Sequence, residues 1–143
     1  MKASIFFLFQ LLALASCYPV FQITSNLATT TAAATSSKAQ TKVKNAANAF
    51  ASDVGTVSNS INKLATATDT KTIKSLASTG FSAEKDEDTH RAVLNTAAGF
   101  TGSSANAKIV KNTPIVLDGL QSIMQSPTTA TVKKTLPKVQ SSR

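Results

Sequence analysis

The chain has 143 residues, a net charge of +8, no tryptophan and one cysteine. Its 42% hydrophobic and 15% charged residues suit one modest core, and the lone cysteine excludes a disulfide framework. The lysines are scattered and no aromatic residues interleave with them, which argues against a nucleic-acid partner and leaves a solvated basic surface.

Residues 1–17 have the layout of a secretory signal peptide. Lys2 precedes the apolar run Ile5-Phe6-Phe7-Leu8-Phe9 and Leu11-Leu12-Ala13-Leu14, and small residues follow. The run is too short to anchor in a bilayer of about 30 Å hydrocarbon. Cleavage after Ala15 or after Cys17 satisfies the small-residue rule, and the second removes the cysteine. The polar, basic stretch Lys134 to Arg143 carries neither a second span nor a GPI signal, so no transmembrane segment is expected. The implied location is extracellular. No Asn-x-Ser/Thr sequon occurs.

Residues 18–42 read as a Ser/Thr/Ala-rich flexible tether with candidate O-glycan sites, or equally as an alanine-rich start to the first helix. A helical domain then occupies residues 43–143. Val43, Ala47, Phe50, Val54, Val57, Ile61 and Leu64 recur at spacings of four and three, the narrow seam of a helical bundle. Asp69 is placed to cap a second helix with Ile73, Leu76 and Ala77 inside, and Gly80 to end or loosen it. Glu84, Asp86, Glu87 and Asp88 read as the acidic N-terminal end of the stretch carrying His90, Val93 and Leu94, solvated and favourable to the helix dipole. Gly99 to Ser104 reads as a turn.

Thr113-Pro114 looks like a cap and first helical residue, leading to Val116, Leu117, Leu120, Ile123 and Met124. Ile109 and Val110 fall in a preceding turn or in the same helix, kinked at Pro114. Ser126-Pro127 repeats the device before Val132, Leu136 and Val139, and Pro137 should kink or end that last segment. No stretch has period two. The fold class expected is all-α, an up-and-down bundle of about four amphipathic helices after a signal peptide and a tether.

No catalytic or metal-binding set is evident. His90 is the only histidine, the acidic run lacks calcium-loop spacing, and no Gly-x-Ser-x-Gly turn occurs. An enzyme is not expected, nor a cofactor. The candidate site is the apolar seam itself: Phe50, Val54, Val57, Ile61, Leu64, Leu94, Val116, Leu117, Leu120, Ile123 and Met124. Large residues opposite many alanines either pack closely or leave a cavity for an acyl chain, and composition favours close packing.

The stretch Glu84-Lys85-Asp86-Glu87-Asp88-Thr89-His90-Arg91-Ala92-Val93-Leu94-Asn95-Thr96-Ala97-Ala98-Gly99 carries a resemblance, as does Ile109-Val110-Lys111-Asn112-Thr113-Pro114-Ile115-Val116-Leu117-Asp118-Gly119-Leu120. With Ile123, Pro127, Val132-Lys133-Lys134 and Leu136 they resemble the fungal hydrophobic surface-binding protein A family, grouped with the cell-wall galactomannoproteins. The resemblance runs from about Lys38 to Arg143. It implies a secreted, non-catalytic, cell-wall-associated helical protein of fungal origin. Such a protein adsorbs to hydrophobic surfaces or binds lipid and fatty acyl chains, and some members recruit secreted esterases. The alternative is a structural wall mannoprotein or antigen with an O-glycosylated tether, in contact with cell-wall polymers. Family members run on past the position of Arg143, so a seam left partly uncovered is also expected, which favours surface adsorption over a closed cavity.

Overall fold

A computed structural model describes residues 29–143, and the expected signal peptide and the first part of the tether lie outside those residues. The described chain is all-helical, without strands, and forms a helical bundle. Its α-helices are α1 (Thr29–Leu64), α2 (Thr70–Ala98), α3 (Ser103–Gln125) and α4 (Thr129–Ser141), with a 3-10 turn at Gly99–Gly102. No helix among the described residues is long and apolar enough to cross a membrane.

The helix starts at Thr29, so the part of the Ser/Thr/Ala stretch within the described residues is an alanine-rich helix start. Its side chains from Ser36 to Lys42 are exposed. The extended backbone of Asp69 lets its Oδ2 accept from the Thr72 amide at 2.7 Å, which satisfies one of the amide donors that the first turn of α2 leaves without a partner inside the helix. Gly80 does not end α2. It is buried where α1 and α2 meet, and a Cβ there would lie 3.2 Å from Ser60 Cβ and 3.5 Å from Leu120. Together with Asp53 beside His90 and Arg91 on Asn106, these contacts set α1 and α3 antiparallel to α2. Gly99, at φ +55°, occupies the left-handed region that ends α2.

The two proline devices turn out differently from the sequence expectation. Thr113 is not a cap: it lies inside α3, and its Oγ1 donates back to the Ile109 carbonyl at 3.0 Å. Ile109 and Val110 belong to the same helix. Pro114 and Val110 are both exposed, so the missing amide bond falls on the solvent side, where it costs least. Pro137 likewise sits within α4 on the exposed side, and the helix continues to Ser141. The cap of α4 is Thr128, not Ser126; its Oγ1 accepts from the Thr131 amide at 3.1 Å.

Packing divides the bundle into two clusters. The larger joins Val57, Ile61 and Leu64 of α1, Ile73, Ala77 and Ala83 of α2, Val116, Leu120 and Ile123 of α3, and Val132, Leu136 and Val139 of α4. Here Gly119 lets α3 approach α4, because a Cβ at that position would overlap Val139 Cγ2. The smaller cluster joins Ala46, Phe50 and Leu94, with Val43, Val54, Val93 and Ile109 packed against it.

Candidate amphipathic cleft

Around the smaller cluster α1 and α3 stand apart over α2, leaving a cleft of about 650 Å³. Phe50, Ala51, Val54, Gly55 and Ser58 form one wall, and Gly102, Ala105, Asn106, Ile109, Asn112 and Thr113 form the other. The floor is the α2 stripe Glu84, Glu87, Arg91, Leu94 and Ala98. Ser142 and Arg143 bound the end that faces the larger cluster. The volume lies in the range of sites that hold a small molecule.

Of the expected seam residues, Phe50, Val54 and Leu94 line this cleft. Val57, Ile61, Leu64, Val116, Leu120 and Ile123 are buried in the larger cluster, where they hold the helices together. Met124 packs against that cluster half-buried, and Leu117 is half-buried on α3. The structure therefore gives the one seam two different surroundings.

The acidic run is the main departure. Glu84, Asp86, Glu87 and Asp88 lie in the middle of α2, far from its N-terminus, so the helix dipole does not account for them. Asp86 is exposed, but Glu84 and Glu87 are buried at 3% and 7% exposure. A pair of buried carboxylates needs a cation, and Arg143 supplies it. Its Nη1 donates to Glu84 Oε2 and, at 3.1 Å, to Glu87 Oε2, while Nη2 lies 3.5 Å from the Val54 carbonyl. Burial pushes the Glu84 carboxyl up to about 7 despite the opposing pull of Arg143, and burial raises Glu87 in the same direction.

A signal for this inward turn was present in the sequence. Ile73, Ala77, Gly80, Glu84, Glu87, Arg91, Leu94 and Ala98 follow one another at spacings of four and three, so the apolar stripe of α2 passes straight through the charged residues. Arg91 is held at both ends. Nε and Nη2 reach Asp88 Oδ1 at 2.9 and 2.7 Å, and Nη1 donates to Asn106 Oδ1 on α3. His90 Nε2 stands 3.7 Å from Asp53 Oδ2, a buried oxygen that accepts no hydrogen bond.

No family model, curated protein or solved structure matches this chain.

Proposed function

We propose that this is a secreted, non-catalytic protein that holds the apolar chain of one lipid or fatty-acyl ligand in the cleft between α1 and α3. The observation that carries the proposal is the cleft itself, about 650 Å³ walled by Phe50, Val54, Leu94 and Ile109, with the buried Glu84 and Glu87 and with Arg143 at one end. An acyl chain entering it loses contact with water without requiring any helix to move. Covering apolar surface contributes about 25 cal/mol per Å², part of which offsets the loss of ligand freedom.

The cleft is favoured over adsorption through opened helix faces for an energetic reason. Leu64, Ile73, Leu120 and Ile123 are fully buried against one another. Laying them on a wax or polyester film first requires undoing that packing. The proposal agrees with what the resemblance to the hydrophobic surface-binding protein A family implies about secretion and lipid binding.

The test is a titration of the purified chain with an uncharged solvatochromic dye such as Nile red. One saturable site per chain is expected, and it should persist at high salt, because salt screens charges but does not weaken apolar burial. Binding that never saturates, or that salt abolishes, contradicts the proposal.

A second reading has one observation behind it. Phe100, in the 3-10 turn between α2 and α3, is 99% exposed. A large apolar side chain presented in this way can lie against a hydrophobic surface and lose its own contact with water there. On that reading Phe100→Ser lowers retention on a polyester film while leaving the dye site intact; unchanged retention removes it.

A further inference from the structure

The polar end of the cleft discriminates among head groups. Glu84 lies one helical turn along α2 from Gly80, the level at which Ser60 and Leu120 close the bundle, so the cleft ends on Glu84, Glu87 and Arg143. Arg143 is engaged there by two carboxylates and approaches the Val54 carbonyl. Arg91 is engaged by Asp88 and Asn106. The third cation on the lining, Lys108, is exposed on α3 and is itself engaged.

Two carboxylates offer roughly eight lone-pair sites, against five N–H donors on one guanidinium. The surplus at this end is acceptor. A fatty acid brings another carboxylate, and to bind with its head at this end it must draw Arg143 away from Glu84 and Glu87. That leaves two buried carboxylates short of their cation, which is strongly unfavourable. A hydroxyl head group meets the same end differently. It donates into the surplus and leaves the Arg143 contacts in place.

We propose that the cleft selects a long-chain amphiphile with a neutral hydroxyl head group over the free fatty acid of the same chain length. This rests on the cleft being the lipid site. Glu84 and Glu87 act as head-group acceptors, and Arg143 keeps them from repelling each other.

The experiment is displacement of Nile red from the full chain at about pH 8.5, where the carboxylates are ionised, by 1-monolauroylglycerol and by laurate. Monolauroylglycerol should bind at least about tenfold more tightly than laurate, the penalty expected for one buried group left unsatisfied. In the double variant Glu84→Gln with Glu87→Gln, Arg143 is released from its carboxylates, and laurate should overtake monolauroylglycerol. Laurate binding best to the parent overturns the head-group proposal while leaving the cleft as the lipid site. Failure of both to displace a bound dye overturns the lipid site and this proposal with it. If the double variant does not fold, the order measured on the parent still decides.

Discussion

The two halves of this bundle are built from the same kind of apolar stripe, yet one is closed and the other is open. In the closed half α4 lies against the others, and residues such as Leu64, Ile73 and Leu120 are shielded completely. In the open half the stripe continues through Phe50 and Leu94, but α4 contributes nothing, and only Ser142 and Arg143, just past its end, reach the cleft. Length explains the difference. The 13 residues of α4 rise about 20 Å, against about 44 Å for the 29 residues of α2. A stripe becomes core where a further helix covers it and a cleft wall where none does.

Truncations should expose this contrast most strongly. Leu120→Ala removes a fully buried side chain from dense packing and should cost about 2–5 kcal/mol, since the hole cannot collapse. Phe50→Ala removes a larger side chain but opens into space that already exists, so only its transfer term of about 1.5–3 kcal/mol is lost. Urea unfolding of the two variants measures both. Equal costs, or a larger one at Phe50, break the comparison.

Acidity should sharpen it next. Glu84 titrates at about 7 in the folded chain, above the ordinary carboxylate value of 4.5. Between those values the folded state holds a proton that the unfolded state releases. The stabilisation is therefore complete below pH 4.5 and is lost as the pH rises through 7. Its size is on the order of 3 kcal/mol, and the raised Glu87 acts in the same direction. Unfolding curves across that range should flatten in Glu84→Gln; an undiminished slope places the titration elsewhere.

Close approach supplies a smaller effect. Gly119→Ala puts a methyl group into Val139 and should cost about 1–3 kcal/mol by overpacking. Gly55→Ala, at a cleft position where a Cβ meets nothing within 4 Å, should be neutral or stabilising. Thermal melts of the pair report this directly, and a destabilised Gly55→Ala would mean that the open half is tighter than described. Smallest is the capping contrast. Thr128→Ala should cost about 1 kcal/mol by losing the α4 cap, whereas Thr113→Val should stay within about 0.5 kcal/mol.

The parts legible in the sequence were those where local pattern and packing agree. Val57, Ile61 and Leu64 announced their burial by spacing, and Asp69 announced its cap. The prolines misled because Thr-Pro and Ser-Pro have the same appearance at a helix start and on an exposed helix side. Only the packing of Val110 and Pro114 shows which applies. The cleft was less legible still. Its cation, Arg143, meets Glu84 across 59 positions of chain, and no local pattern encodes a contact of that range. Charge alone suggested that Glu84 and Glu87 were solvated, although the spacing of their neighbours Ala77, Gly80, Leu94 and Ala98 placed them on the inner stripe.

If, as proposed, the open half holds one amphiphile and the closed half none, blocking the cleft abolishes binding. Ala105 is half-buried on the α3 wall, and Ala105→Trp places a large ring in the space a ligand would take. Native mass spectrometry of parent and variant, each mixed with 1-monolauroylglycerol and matched for helical content, is the measurement. One bound molecule on the parent and none on Ala105→Trp is the predicted result. Equal occupancy of both would place the lipid outside the cleft and contradict the account.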